Sequence, residues 1–136
     1  MTQLITYLTF NGNCSEAMSF YQECLGGELY LQKIEDSPMA DKLPQDMREC
    51  ILHSSLQKGN LILMATDMVG DEGLIRGNAV SVLIQCSSEQ EMRSYYDRLS
   101  VGGQKTYPIE NTMWGTLFGE LIDRYGNHWL LKYGEY

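Results

Sequence analysis

Residues 4–34 have the sequence LITYLTFNGNCSEAMSFYQECLGGELYLQKI. The first part, 4–10, is rich in β-branched and aromatic residues, a composition that favours a strand. Asn11-Gly12-Asn13 interrupts this pattern, and apolar residues then recur at helical spacing until Gly26-Gly27 ends the predicted helix. The apolar positions of this helix are Ala17, Phe20, Tyr21, Cys24 and Leu25. A second strand is predicted at 28–34, which gives the order strand, helix, strand.

The predicted helix has a recognisable beginning. Asparagine is a favourable N-cap residue, and Asn13 precedes the first apolar position. Glu16 lies three residues later, where its side chain would complete a capping box. We therefore expect these two side chains to bind the first backbone N–H groups of the helix.

Two more strands complete the first half of the chain. The polar stretch 36–47 holds two of the three prolines and predicts a long loop. Strands are predicted at 49–57 and 60–66, and Lys58-Gly59 between them indicates a tight hairpin.

The second half repeats this order of elements. Ser87 or Ser88 is placed to cap a second helix, which Gly102-Gly103 ends. The apolar face of this helix consists of Met92, Tyr95, Tyr96 and Leu99. Strands are predicted at 79–86, 104–110, 116–122 and 128–133, and the turn Asp123-Arg124-Tyr125-Gly126-Asn127 joins the last two.

Two short similarities support an internal duplication. Phe20-Tyr21 on the first helix corresponds to Tyr95-Tyr96 on the second. We call the difference in residue number between these two pairs the helix offset. Gly59-Asn60 corresponds to Gly126-Asn127. We call the difference in residue number between these two pairs the hairpin offset, and it is smaller than the helix offset. The first half therefore holds eight more residues between its helix and its hairpin, and the loop 36–47 is where we expect them.

These elements predict an α+β fold built from two tandem β-α-β-β-β modules. The modules span about 1–68 and about 79–136, and the Gly-rich segment at about 67–78 links them within a single domain, 1–136. A crossover helix packs on the sheet formed by its own strands, so each helix covers one face of its sheet. We therefore expect curved mixed sheets around a cavity, with the helices on the outer faces.

The composition excludes several classes of partner. The formal net charge of −8 argues against nucleic acid and anionic membrane surfaces, because both need clustered Lys and Arg. The N-terminus lacks the basic and apolar segments of a signal peptide, and no apolar run is long enough for a membrane span. The four cysteines are Cys14, Cys24, Cys50 and Cys86. Their wide spacing, without a CxxC pair, is typical of buried thiols in a reducing compartment, so we expect a cytoplasmic protein.

Six segments that follow one another along the chain carry a family resemblance. They are Leu8-Thr9-Phe10-Asn11-Gly12-Asn13 running into Phe20-Tyr21, Leu52-His53-Ser54-Ser55-Leu56, Leu63-Met64-Ala65-Thr66-Asp67, Trp114-Gly115, Phe118-Gly119, and Asp123-Arg124-Tyr125-Gly126-Asn127-His128-Trp129. Together they resemble the PhnB-like group of the glyoxalase/bleomycin-resistance (vicinal oxygen chelate) superfamily. The resemblance implies the fold described above. It also implies a homodimer, because such relatives commonly complete their cavities by pairing modules between chains.

The resemblance also shows where a metal would lie. Enzymes of this superfamily hold a divalent ion with one His, Glu or Gln from the first and last strand of each module. The corresponding positions here are near Thr6, Leu63 or Met64, Ser81 and Leu130. None of these residues is a strong metal ligand. A register error of a residue or two adds only Gln85, Cys86 and His128, so we expect no metal and no cofactor.

Two side chains are candidates for acid–base chemistry without a metal. His53 corresponds to Glu120 at the hairpin offset, and strand alternation places Glu49, Ile51, His53 and Ser55 on one face. An imidazole and a carboxylate in one pocket could act as general base and acid. The alternative is a hydrogen-bonded structural histidine and a solvated glutamate. His128, beside the last turn, is expected to be partly exposed.

The predicted ligand-binding residues are Phe10, His53, Met64, Trp114, Phe118 and Glu120. An open sheet face lined by aromatic side chains and methionine suits a planar or apolar small molecule. Tyr7 and Trp129 are further large side chains that belong either to the core or to this wall.

The sequence favours a metal-independent small-molecule-binding protein, comparable in architecture to proteins that sequester antibiotics. One alternative is an enzyme of unknown reaction that uses His53 and Glu120, and another is a divergent metal-dependent lyase or dioxygenase. Relatives of this group are often labelled demethylubiquinone methyltransferase-like. An enzyme that uses S-adenosylmethionine is expected to have a Gly-rich turn between a strand and a helix, and this sequence has no GxGxG-like run.

Overall fold

The computed structural model describes residues 1–113 and 115–135, and within them the chain forms eight strands and two α-helices. These are β1 Thr6–Thr9, α1 Cys14–Leu25, β2 Glu28–Lys33, β3 Ile51–Lys58, β4 Leu61–Thr66, β5 Val82–Cys86, α2 Glu89–Leu99, β6 Gln104–Asn111, β7 Leu117–Ile122 and β8 His128–Tyr133. The chain divides into two compact units, Met1–Ile75 and Arg76–Tyr136, and the division falls inside the segment predicted as a linker. Each unit has the order β-α-β-β-β, which confirms the predicted α+β fold of two modules.

Unit 1 contains one four-stranded mixed sheet in the order β1-β4-β3-β2. β1 pairs parallel with β4, and β3 pairs antiparallel with both β4 and β2. Because α1 connects β1 to β2 at opposite edges of the sheet, it crosses one face and packs there. The sheet residues on that covered face include Ser54, Leu56, Leu63 and Ala65, all buried.

α1 packs on the sheet through the face that the sequence predicts. All five predicted apolar positions, Ala17, Phe20, Tyr21, Cys24 and Leu25, are buried. The helix ends at Gly26, whose φ of +80° is readily reached only by glycine and whose N–H donates to the carbonyl of Gln22. Periodicity and the terminating glycines were therefore sufficient to predict this helix.

Asn13 occupies the N-cap position of α1 as the sequence predicts, but the predicted capping interaction is wrong. The Asn13 side chain makes no capping hydrogen bond. Instead Oδ1 of Asp67 accepts hydrogen bonds from the backbone N–H groups of Gly12 and Cys14, at 2.8 and 3.0 Å. Asp67 follows β4 and lies more than fifty residues away in sequence, so local patterns could not identify it as the residue that binds this helix terminus.

Unit 2 contains the corresponding sheet in the order β5-β8-β7-β6. β5 pairs parallel with β8, and β7 pairs antiparallel with both β8 and β6. α2 packs on one face, where Leu121, Trp129 and Leu131 are buried together with its own Met92, Tyr95, Tyr96 and Leu99. This list contains all four residues predicted for the apolar face of α2.

The N-cap residue of α2 is one of the two that the sequence predicts. Ser88 is the N-cap, and its Oγ accepts a hydrogen bond from the N–H of Glu91 at 3.0 Å. The Glu91 carboxylate accepts in return from the N–H and the hydroxyl of Ser87. Three neighbouring residues thus satisfy this helix terminus without help from the rest of the sheet.

One glycine permits close packing between α2 and its sheet. A Cβ built at Gly119 of β7 would lie 3.0 Å from Cγ1 of Ile109 and 3.2 Å from Cε1 of Tyr96. The missing side chain therefore leaves room for the Tyr96 ring above β7. This room also lets the Tyr96 hydroxyl donate a 2.9 Å hydrogen bond to the carbonyl of Tyr107 on β6.

Several element boundaries and one face assignment differ from the sequence predictions. The first hairpin turn is Gly59-Asn60, one residue later than predicted, because Lys58 pairs with Leu61. β5 begins at Val82, after exposed residues 79–81. The register of β2 against β3 shifts after the Gln32–His53 pair, so the predicted alternation does not run unbroken: Ile51 is buried, whereas His53 is half-buried.

The pairing registers support the duplication in one part and contradict it in another. Gln32 pairs with His53, and Tyr107 pairs with Glu120, which reproduces both the helix offset and the hairpin offset. The hairpin offset fails in the last strand of each unit, because the first turn has two residues and the second has five, 123–127. At the hairpin offset, Leu63 on the covered face of unit 1 would correspond to a residue of β8 that is turned away from α2. The alignment of β4 with β8 at this offset was therefore wrong.

We expect the substitution Gly126→Val to destabilise the protein by roughly 1–3 kcal/mol, the range for a non-glycine residue held in a disfavoured backbone region. Gly126 has φ +89°, and its N–H donates to the carbonyl of Asp123 inside the last turn. Chemical denaturation followed by circular dichroism measures the change. Gly126→Asn is the matched control and should cost less, because asparagine tolerates positive φ better than valine. Equal unfolding midpoints for wild type and Gly126→Val would contradict the prediction.

Candidate ligand-binding faces

The sheet of unit 1 has a second face, turned away from α1, which we call the distal face of unit 1. One row of paired residues crosses it from edge to edge, made of Tyr7, Met64, Ser55 and Tyr30. Tyr7 and Tyr30, at the two edges, are 54% and 55% exposed, whereas Met64 and Ser55 between them are half-buried. The distal face therefore presents two aromatic rings around a methionine and a hydroxyl.

The next row of the same face holds the paired residues Gln32 and His53. Both side chains are half-buried. Within residues 1–113 and 115–135, the His53 ring takes part in no hydrogen bond, ion pair or ring contact. The described surroundings of His53 therefore do not give it a hydrogen-bonded structural role. Both of its ring nitrogens are left to interact with other molecules.

The distal face of unit 2, turned away from α2, has two such rows. The first consists of Leu83, Leu130, Glu120 and Tyr107, and the second of Gln85, Lys132, Phe118 and Glu110. The rings of Tyr107 and Phe118 contact each other edge to face, with their centroids 6.2 Å apart. Half of these eight residues are aliphatic or aromatic, three carry a charge and one carries an amide.

The predicted ligand-binding residues separate into three groups. His53 and Met64 lie on the distal face of unit 1, and Phe118 and Glu120 lie on the distal face of unit 2. Phe10 has no exposed surface and packs against Tyr21 of α1 at a centroid distance of 6.4 Å, so it belongs to the core. Trp114 lies outside the described residues.

Trp129 is also a core residue. It is 1% exposed, and its Nε1 donates a 2.8 Å hydrogen bond to Oδ2 of Asp123. The other oxygen of Asp123 accepts from the backbone N–H groups of Tyr125 and Asn127. The aspartate therefore connects the last turn to the buried indole, and neither group is available to a ligand. His128 is half-buried, in line with its predicted partial exposure.

Among the aromatic residues of the distal faces, sequence reasoning missed Tyr30 and Tyr107. The signal for Tyr30 is present in the sequence, because Leu29, Tyr30 and Leu31 alternate and only the leucines can face α1. Tyr107 has no such signal. Two register irregularities interrupt the pairing of β6 with β7, so simple alternation does not assign its face.

The cysteines do not provide a nucleophile. Burial raises the pKa of the Cys14 thiol to about 11, with Asp67 adding to the shift and a hydrogen bond to Ser54 opposing it. Burial also raises the pKa of Cys86 to about 11 and shifts that of Cys50 upward. All four cysteines are free thiols, and only Cys50 is more than marginally exposed. A thiol is a weak nucleophile until it is deprotonated, so these residues are structural.

The metal positions that the resemblance implies are near Thr6, Leu63 or Met64, Ser81 and Leu130. On the distal faces, the first and last strands of the units present Tyr7 and Met64 in unit 1 and Leu83 and Leu130 in unit 2. Across the described ranges 1–113 and 115–135, no three His, Cys, Asp or Glu side chains are grouped closely enough to bind an ion.

A groove of about 320 Å³ lies on the opposite side of unit 2, between α2 and β6. It is lined by Arg93, Tyr96, Asp97, Lys105, Pro108 and Ile109. Both of its cations already have carboxylate partners: Arg93 pairs with Glu89 at 2.9 Å and Lys105 with Asp97 at 3.2 Å. The groove contains none of the predicted ligand-binding residues. In the part of the chain that the structure describes, no helix is long and apolar enough to cross a membrane.

Comparison with known proteins identifies the relatives of this chain. The sequence model of the family described as 3-demethylubiquinone-9 3-methyltransferase matches residues 2–132. The crystal structure of protein PA1353 from Pseudomonas aeruginosa is 32% identical, with a TM-score of 0.85 over 98% of each chain. Protein YjdN of Escherichia coli is 26% identical over 95% of this chain and 93% of its own length.

The fold extends to more distant proteins. A bleomycin resistance determinant encoded on the transposon Tn5 is 19% identical, with a TM-score of 0.62 over the whole of both chains. At that identity the likeness concerns the fold alone. The fold of this chain is that of the glyoxalase/bleomycin resistance proteins. The family match covers almost the whole length of the chain and shows that it belongs to the family described as 3-demethylubiquinone-9 3-methyltransferase.

Proposed function

We propose that this protein binds a planar or apolar small molecule on its distal faces and that it does so without a metal ion. The observation that carries the proposal is the contrast between the two faces of each sheet. The faces under the helices are buried, whereas the distal faces expose aromatic rings and polar groups such as His53 that have no partner among residues 1–113 and 115–135. Aromatic walls with few convergent polar groups are typical of small-molecule sites.

The comparisons add indirect support. The Tn5 relative is named for resistance to bleomycin, a small molecule, and it has this fold. The name of the matching family refers instead to methyl transfer. In this chain the connections from strand to helix are 10–13 and 87–88, and neither forms the Gly-rich turn expected for binding S-adenosylmethionine. We therefore base the proposal on the distal faces and not on the family's description.

Acid–base catalysis by His53 and Glu120 is the second candidate. Both residues occupy the central part of a distal face, and neither has a protein partner within the described residues. They belong to different units, so each can be tested separately. A reaction that is lost in both His53→Ala and Glu120→Gln would favour an enzyme over a binding protein.

Nile red, a neutral planar dye, should bind to the wild-type protein with an increase in fluorescence. The substitution Ser55→Trp should weaken binding to the distal face of unit 1 at least tenfold and leave binding to the distal face of unit 2 unchanged, because the indole would occupy the middle of the row between Tyr7 and Tyr30. Fluorescence titration measures the dissociation constant, and the melting temperature shows whether each variant is folded.

Ser19→Trp is the matched control for this experiment. It introduces the same side chain at an exposed position on α1, away from the distal face of unit 1, and should leave Nile red binding unchanged. Absence of binding to the wild type, or equal affinities for both variants, would count against the distal face of unit 1 as a ligand site.

The purified protein should contain no stoichiometric zinc, nickel, iron or manganese. The first and last strands of each unit present Tyr7, Met64, Leu83 and Leu130 on the distal faces, and none of these residues is a strong metal ligand. Mass spectrometry of the metals measures this directly. Adding the ions should not raise the melting temperature specifically, since only a ligand that prefers the folded state stabilises it. Lactoylglutathione lyase and extradiol dioxygenase activities should remain at background. Near-equimolar metal that is lost in His53→Ala would overturn the metal-independent proposal.

We also propose a cytoplasmic homodimer. The support is a set of exposed apolar side chains at or near the edge strands β1 and β5, among them Leu4, Val80 and Leu83. A symmetric contact would remove such a surface from water. Multi-angle light scattering at micromolar concentration should therefore give twice the 15.5 kDa mass of one chain. A mass of 15.5 kDa across that concentration range would contradict the proposal.

A further inference from the structure

Glu120 has unusual surroundings for a carboxylate. Its cross-strand neighbours on the distal face of unit 2 are Leu130 on β8 and Tyr107 on β6. Along β7, the residues on the same face are Phe118 and Ile122. All four neighbours are aliphatic or aromatic, and Glu120 itself is half-buried among them. Placing a charge in such surroundings costs free energy that an exposed position would avoid.

The Glu120 carboxylate also lacks a compensating partner. Over the described ranges 1–113 and 115–135, it forms no hydrogen bond and no ion pair. Its oxygens nevertheless keep some exposed surface. Among the described residues, the one side-chain polar atom that is both fully buried and without a hydrogen-bond partner is Nε of Arg48, so the unpartnered oxygens of Glu120 are not fully buried. A molecule bound on this face can therefore reach the carboxylate and supply the hydrogen bond or ion pair that the described residues do not provide.

The two aromatic rings beside Glu120 favour the same kind of ligand. Tyr107 is 44% exposed, and its ring meets that of Phe118 edge to face at an interplanar angle of 67°, so part of the aromatic surface beside Glu120 is accessible. Ring faces attract cations, and the attraction increases when the cation is removed from water. A carboxylate next to aromatic faces is thus suited to an organic cation.

The other charged residues of this face leave its net charge negative. Glu110 lies on the other side of Phe118 and adds a second carboxylate. Lys132 is the one ammonium group among the paired residues, and it has interactions of its own within the protein. The paired residues of the face therefore carry a formal charge of −1, and the whole chain carries −8.

We infer that the ligand of the distal face of unit 2 is an aromatic or amphiphilic organic cation, whose amine or ring nitrogen pairs with Glu120 while its apolar part rests on Tyr107 and Phe118. This inference rests on the proposed function and adds the charge of the ligand. A cation at this position forms a charge-assisted hydrogen bond with a carboxylate that otherwise has no partner among the described residues. An anionic ligand would meet the same carboxylate unfavourably.

Two dyes that share one ring system test the inference. Nile blue carries a positive charge, whereas Nile red is neutral. Nile blue should bind the wild-type protein more tightly than Nile red, and Glu120→Gln should weaken Nile blue roughly tenfold or more, the factor for loss of one charged hydrogen bond. The same substitution should leave Nile red within about twofold, because glutamine keeps the size of the side chain.

A charge-matched control separates a local effect from the overall charge of −8. Glu72→Gln removes one carboxylate from the exposed segment that connects β4 to β5 and should change neither affinity. Nile blue affinity that is equal in wild type and Glu120→Gln, or reduced equally by both substitutions, would overturn the inference. Failure of Nile red to bind the wild type would instead count against the proposed function, so the two ideas can fail independently.

Discussion

The fold of unit 1 depends on one buried carboxylate. Asp67, at the end of β4, accepts hydrogen bonds from the N–H groups of Gly12 and Cys14 through one oxygen and from the N–H of Ile51 through the other, at 2.8 Å. These three donors belong to the loop that leads into α1, to the first residue of α1 and to the first residue of β3. A single side chain therefore fixes the beginning of the helix relative to two strands, and its negative charge lies at the favourable end of the helix dipole.

That constraint has consequences for the site. Once the start of α1 is fixed at the end of β4, the helix has to run across one face of the sheet, where Leu56, Leu63 and Ala65 are buried. The opposite face receives no helix from its own unit. The residues that alternate with the buried ones, including His53, Ser55 and Met64, are then left to meet other molecules. The division between core and candidate site thus follows from strand alternation together with the position of one helix.

The two units reach the same arrangement by different local means. Unit 2 binds the start of α2 with adjacent residues, Ser87, Ser88 and Glu91, and uses a buried aspartate elsewhere, in the five-residue turn where Asp123 holds the Trp129 indole. The short turn of unit 1 needs no such support. The distal faces differ accordingly in chemistry. The two described rows of unit 1 contain no Asp, Glu, Lys or Arg, whereas those of unit 2 carry Glu110, Glu120 and Lys132. A duplicated fold can in this way present two faces of different chemistry.

Local sequence patterns were sufficient for the elements and their order. Alternation, helical spacing and terminating glycines act between residues that are close along the chain, so both helices, all eight strands of the described residues and the predicted α2 cap could be derived from them. Interactions between distant residues were decided only by the tertiary structure. The side chain that binds the start of α1 is Asp67 and not Asn13, Phe10 belongs to the core and not to the ligand wall, and β4 and β8 do not align at the hairpin offset. In each case the outcome depends on which side of a sheet a helix covers or on how many residues a turn takes. Neither quantity is encoded in a short window of sequence, because both are set by pairing and packing between segments that are distant along the chain.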